Sequence, residues 1–289
     1  MNQTGGMDDR QRAYAAGARM SKLKMAEEAP LDAAALEAVE ASDIVVVAGS
    51  YDHVERVLDA LELPYRAVTP AQVDGLRLHP GQLLVVNCPG HLSRAALERV
   101  RVFVEAGGSL FTTDWALRHV IEPAFPGMLA YNERPTADDV VRIEVRGHDN
   151  PFLKGVMDGR DDPQWWLEGS SYPVRVLDPR VQVLITSTEL EGKYGEAAVA
   201  VVFPWGEGEV FHMISHYYLQ RTELRTARHQ APAGAFMAEK GVTLPAPMVA
   251  NLTLGDVESA HSSARMMANL IAAKKRRQQP RPEPGENGP

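Results

Sequence analysis

The sequence holds a single cysteine, Cys88. No internal disulfide can form, and a reducing compartment is the expected setting. The N-terminal residues lack the charged-then-apolar order of a secretory signal, so a cytoplasmic protein is expected. No apolar run is long enough to span a bilayer. Positive charge is not in excess either: the formal net charge of −8 gives no overall attraction for nucleic acid or an anionic membrane. There is no phosphate-binding loop, because Gly206–Glu209 does not precede a helix and Ala106–Ser109 precedes a strand instead of following one. No cofactor is therefore expected. Established metal-ligand spacings are also missing. His148 and Asp149 form a lone loop pair, and His212 and His216, four apart on an expected strand, would stand about 13 Å from each other if both stay extended. The reading is no metal site. No internal repeat is found.

What is present is organised around residues 81–115. Leu83–Val86 is a short apolar run suited to a fully buried strand. Ser93 is a good N-cap for a helix whose face is Leu97, Val100 and Val104, and Gly107-Gly108 ends it. Leu110 and Phe111 start a second strand that breaks at Thr112–Trp115. Such a βαβ unit places its strands in parallel and its functional groups at their carboxyl ends. Asn87, Cys88, Gly90, His91, Asp114 and Trp115 are thereby expected at one sheet edge.

Ahead of this unit, residues 1–30 are polar and Ala-rich and are expected to be loosely ordered with part of a helix. A short helix follows over Leu31–Val39. Strands are expected at Ile44–Ala48 and Tyr65–Val68, with a helix bearing Val54, Val57, Leu58 and Leu61 between them. Beyond Trp115 come a short helix (Ala116–Val120) and strands at Val140–Val145, Val174–Val176 and Val181–Thr186. A hairpin spans Ala197–Phe203 and Gly208–Ile214. Tyr217–Arg228 reads as helix, as does Leu254–Arg277, whose basic end suits a helix C-terminus. Gln278–Pro289 is Pro-rich and expected to be disordered. The fold class is α/β: a flavodoxin-like, mostly parallel sheet with helices on both faces, extended by antiparallel strands in the second half. The division is an N-terminal segment (1–40), the main domain (41–230), a C-terminal loop and helix (231–277) and a tail (278–289).

The order of these pieces resembles the class I glutamine amidotransferase-like superfamily, and within it the ThuA-like (trehalose-utilisation) branch. The resemblance covers about residues 43–219. It is carried by Pro89-Gly90 at a strand end, FVEAGGSL at 103–110, the loop from His148 to Val156, and GEGEVFHMISH at 206–216. It implies a flavodoxin-like sheet. An active glutaminase of this kind uses a cysteine at a sharp strand-to-helix turn, a late histidine, and a carboxylate two residues after it. Carried over by position, the turn is Asp114, the histidine is His216 and the carboxylate position is Tyr218. Glutamine hydrolysis by the family's mechanism is therefore not expected.

Each candidate has a plainer reading beside the functional one. Cys88 could be a thiol nucleophile near a helix N-terminus, but a small buried residue is favoured. Asp114 with His216 could form and hydrolyse an ester, but Asp114 as the cap of the next helix is favoured. His91 reads as an exposed loop residue. Trp115 could line a pocket. Trp165 and Trp166 could stack on a sugar, but core is favoured. The leading functional reading is a non-catalytic module that binds a small-molecule or protein ligand at the sheet's carboxyl edge through Asn87, Cys88, Gly90, His91, Trp115 and Trp165. A homo-oligomer is compatible with it. The alternatives are a hydrolase using Asp114 and His216, and, by resemblance, a role in carbohydrate metabolism.

Overall fold

The computed structural model describes residues 8–146, 150–219 and 221–278. Two helices, α1 (Asp9–Glu28) and α2 (Pro30–Glu37), precede an alternating run. That run is β1 (Ile44–Val47), α3 (Val54–Ala60), β2 (Arg66–Val68), β3 (Leu83–Val86), α4 (Arg94–Glu105) and β4 (Ser109–Thr113). A π-helical turn at Leu117–Ile121 leads into α5 (Glu122–Ala124). Strands then dominate: β5 (Leu129–Tyr131), β6 (Asp139–Arg142), β7 (Glu144–Val145), β8 (Gln164–Leu167), β9 (Val174–Val176) and β10 (Gln182–Thr186). After α6 (Thr188–Tyr194) come β11 (Ala198–Trp205) and β12 (Gly208–Met213). The chain closes with α7 (Ala227–Gln230), α8 (Ala233–Lys240), α9 (Ala246–Val249) and α10 (Leu254–Gln278).

β2, β1, β3, β4 and β12 lie side by side in that order and all run parallel. This is the strand order of a flavodoxin-like sheet, with β12 in fifth place. β11, β10 and β7 extend it antiparallel, and β9 joins β11 and carries β5. β1, β3 and β4 are buried along their whole length, as parallel strands covered by helices must be. α1, α2, α3 and α8 gather on α10, while α4 packs against β4, β12 and α5. No helix among the described residues is long and apolar enough to cross a membrane.

The expected βαβ unit is present to within a residue or two. Ser93 caps α4, its Oγ accepting from Ala96 N at 3.0 Å. Three expectations are corrected. First, the N-terminal segment is ordered from Asp8: α1 opens with a reciprocal cap between Asp8 and Gln11 and buries Tyr14, Gly17 and Met20. Second, Val140–Val145 is two strands. The chain breaks at Ile143, and β6 pairs with β8 in a separate two-stranded sheet while β7 pairs with β10. Third, residues 217–219 and 221–226 are not helical, because side chains claim their backbone donors. Asp52 accepts from Tyr217 N (2.9 Å) and Tyr218 N (3.2 Å), Tyr14 Oη accepts from Leu219 N (2.9 Å), and Gln164 Oε1 accepts from Glu223 N (2.7 Å).

The basic end of α10 is spent on the fold. Lys274 donates to Pro80 O and Gly107 O, and Lys275, Arg276 and Arg277 pair with Asp43, Asp32 and Glu209. The expected tail, apart from Gln278, lies outside the described residues.

Candidate functional site

The site forms where β3, β4 and β12 end together. The residue after β4 is Asp114, held at φ +46°, a left-handed backbone that few non-glycine residues adopt. The turn throws its side chain inward. Asp114 Oδ1 accepts from Tyr172 N at 2.9 Å, and Oδ2 accepts from Ser171 Oγ at 3.2 Å. The expected helix cap is thus corrected. Leu117 N is satisfied by the Asp114 backbone carbonyl (2.8 Å), and the carboxylate turns away to the segment after β8.

Cys88 lies beyond the end of β3. Its backbone N–H donates to Thr113 Oγ1 (3.1 Å), and its Sγ is 4.0 Å from Asp114 Oδ2. His216 follows β12 through Ser215, itself at φ +59°. His216 Nε2 is 3.7 Å from Asp114 Oδ2. Cys88, Asp114 and His216 are 1%, 3% and 1% exposed. One ligand-type atom of each lies within 4.8 Å of the other two.

Behind the histidine stands a carboxylate that sequence reasoning missed. Glu168 Oε2 is 2.6 Å from His216 Nδ1 but off the line of a ring N–H, so the contact is not an aligned hydrogen bond. Glu168 follows β8, and its backbone N–H donates to Ser215 Oγ (2.8 Å), which ties the two turns together. Its side chain is 40% exposed and links the buried group to the surface. Tyr218, the position expected for the carboxylate by resemblance, stacks on Tyr14 at 4.7 Å and takes no part.

Burial sets the electrostatics. It raises Asp114 to about 7; the bonds from Tyr172 N and Ser171 oppose the shift, and the charges of Asp52 and Glu168 add to it. Burial, with the Asp114 charge next, pushes the Cys88 thiol well above its ordinary value. A neutral buried thiol is a poor nucleophile.

The remaining expected residues fall in different places. Asn87 caps α3: Oδ1 accepts from Val54 N (3.3 Å) and Nδ2 donates to Glu55 (2.8 Å). Gly90 sits at φ +73° with Ala116 and Val120 where a Cβ would go. His91 is exposed and its ring lies 4.2 Å from that of His119, beside the site and not in it. Trp115 donates Nε1–H to Ser170 O (2.7 Å) and lies between the rings of Tyr51 (5.4 Å) and Tyr172 (5.6 Å), with Tyr131 stacked beyond at 4.0 Å. Trp165 is in the core against Tyr217. Its neighbour Trp166, facing the other way, meets the His216 ring edge-on at 5.9 Å. His212 points into the core and bonds Thr112. His148 and Asp149 lie outside the described residues.

No protein-family model matches the chain, and no curated protein matches it. Similar solved structures include a cytoplasmic protein from Salmonella typhimurium (10% identity, TM-score 0.46, 79% of this chain and 97% of that one). A putative ThuA-like protein from Bacteroides uniformis is similar at 9% identity and TM-score 0.42, over 60% of this chain and 81% of that one. An exo-β-1,4-mannosidase from an Opitutaceae bacterium is similar at 11% identity and TM-score 0.43, over 61% of this chain. The chain spans 31% of that mannosidase's length. At these identities and scores, function has to be argued from the chemistry of the site itself.

Proposed function

We propose that the protein is a hydrolase in which Asp114 and His216 activate a water molecule, on a fold of the class I glutamine amidotransferase-like, ThuA-like kind. The family reading is supported by the flavodoxin-like strand order, by the strained turn at Asp114 and by the position of His216 just after β12. The catalytic reading is carried by one observation: His216 lies between two carboxylates, 3.7 Å from Asp114 and 2.6 Å from Glu168. A carboxylate this close to Nδ1 would accept its N–H after a small turn of the ring or the acid, and an imidazole so backed can carry a proton at its other nitrogen. Asp114, raised to about 7, exchanges protons near neutrality. Water bound at the pair gives up a proton and attacks an electrophilic carbon. Tyr51, exposed at the outer end of the ring stack with Trp115 and Tyr172, offers an aromatic surface that suits a flat or sugar-like small molecule. The setting is cytoplasmic.

The test is turnover of a panel of ester, lactone, amide and glycoside substrates by the purified protein. Asp114→Asn and His216→Ala are each expected to cost at least about 100-fold. Turnover indifferent to both substitutions would remove the proposal. So would an absence of turnover across the panel, which would favour the second reading, a non-catalytic binding module. That reading is favoured by the neutral Cys88 thiol and by the deep burial of all three inner groups.

A further inference from the structure

We infer that Cys88, Asp114 and His216 form a binding site for one divalent metal ion of the zinc class. The inference rests on the hydrolase reading of this site and revises the roles within it: with Asp114 and His216 as ligands, the metal would lower the pKa of bound water in place of proton uptake by the pair.

The donor set is the first ground. A thiol, a carboxylate and an imidazole converge from the ends of three adjacent parallel strands, which hold them on a rigid frame. Sulfur, nitrogen and oxygen together suit zinc, and three protein ligands leave a fourth position for water. Tetrahedral zinc brings its ligand atoms to about 3.5 Å from one another. The observed separations are 4.0 Å for Cys88 Sγ to Asp114 Oδ2 and 3.7 Å for Asp114 Oδ2 to His216 Nε2. The third pair, Cys88 with His216, lies within 4.8 Å, so the donors would draw together by up to about an ångström on binding.

The surroundings are the second ground. Metal-bound histidine keeps a carboxylate at its other ring nitrogen, and Glu168 stands at His216 Nδ1. Asp114 is held by Ser171 and Tyr172 N, and the Cys88 backbone is tied to Thr113 Oγ1, so both ligands are fixed by neighbours outside the set.

Charge is the third. Asp114 and Glu168 crowd one buried histidine, and among the described residues neither pairs with a lysine or arginine. Asp52, close by, is satisfied by backbone N–H groups of His53, Tyr217 and Tyr218. Asp114 is a buried carboxyl group with no cationic side chain against it, Glu168 adds a second at the partly exposed rim, and a divalent ion would supply the missing charge.

The experiment uses the full chain. Metal content is measured by mass spectrometry after exhaustive dialysis, and Co²⁺ is then added to chelator-stripped protein. One zinc per chain is expected, together with an intense cobalt d–d spectrum of four-coordinate type and a near-ultraviolet thiolate-to-cobalt band. Cys88→Ser should abolish that band. Glu168→Gln, at a partly exposed side chain, should keep the fold and the stoichiometry and weaken affinity about 10- to 100-fold. A wild-type protein that retains no metal above the dialysis control and gives only the weak six-coordinate cobalt spectrum overturns the inference. A cobalt band that survives Cys88→Ser also overturns it. The two proposals fail separately. Metal held tightly without any turnover sinks the hydrolase, whereas turnover in protein that is metal-free and unaffected by chelator sinks the metal site alone.

Discussion

Gly90 shows how tightly the site's floor is built. At φ +73° an L side chain is already strained, and its Cβ would stand 2.9 Å from that of Ala116 and 3.0 Å from Val120 Cγ2. Both penalties act together, each about 1–3 kcal/mol. Gly90→Ala is expected to lower stability by at least about 2 kcal/mol, read as a shifted urea midpoint at unchanged slope. An unchanged midpoint would mean that the turn yields freely. At this scale the sequence is informative where a residue's role follows from strand order: Asp114 is placed at the sheet edge by the βαβ pattern, and His216 by the resemblance. Glu168 is placed by neither. It sits after a short apolar run, and only the pairing of β8 with β6 and the Ser215 tether bring it to the histidine. The cap expected of Asp114 failed for a related reason. The strained backbone points the carboxylate away from the helix that follows, and no local pattern records that.

Among the elements, α1 was the least visible in advance. Its buried face is made of Ala13, Ala16, Gly17, Ser21 and a few larger residues, so the apolar period that marks most helices is faint. Small residues are what the contact demands. A Cβ on Gly17 would come within 2.6 Å of His261 N and 2.8 Å of Ala260 C, both backbone atoms of α10. Helix propensity and packing therefore predict opposite signs for Gly17→Ala. Propensity alone would stabilise by about 1 kcal/mol. Overpacking against a backbone costs about 1–3 kcal/mol and has no flexible side chain to absorb it. A net loss is expected in thermal melts, and a gain would mean that the two helices can move apart at little cost. The strands of the first half were legible because buried parallel strands are written as continuous apolar runs, as in Ile44–Val47 and Leu83–Val86. The sequence pattern at 217–219 and 221–226 suggests helix, but their course depends on Asp52, Tyr14 and Gln164, all far away in sequence.

For the molecule as a whole, buried titratable groups set the response to acid. His212 and His261 are held neutral by burial, lowered to about 3 and about 4. Unfolded histidine takes up its proton near pH 6.5. Between pH 6.5 and 4 the unfolded chain therefore binds more protons at these two positions, and stability falls as pH falls. Asp114 and Glu258, both raised to about 7 by burial, act in the opposite direction, because the native state takes their protons first. The clean measurement is a comparison. Whatever His212→Gln costs at pH 7.5, its deficit against wild type should shrink by an amount on the order of several kcal/mol by pH 4, with Asp114 and Glu258 cancelling between the two proteins. Parallel denaturation curves with a constant gap would show that the His212 site admits a charge.

The tether between the first helix and the end of the fifth parallel strand ties the outermost part of the chain to its innermost chemistry. Tyr14 receives the Leu219 N–H, and its ring stacks on Tyr218, two residues past the histidine. A chain trimmed to begin at the first strand would thus give up more than a surface helix. It would unmoor the peptide stretch that aims His216, and the loss would register in the buried cluster of Cys88, Asp114 and His216 before it registered in the sheet.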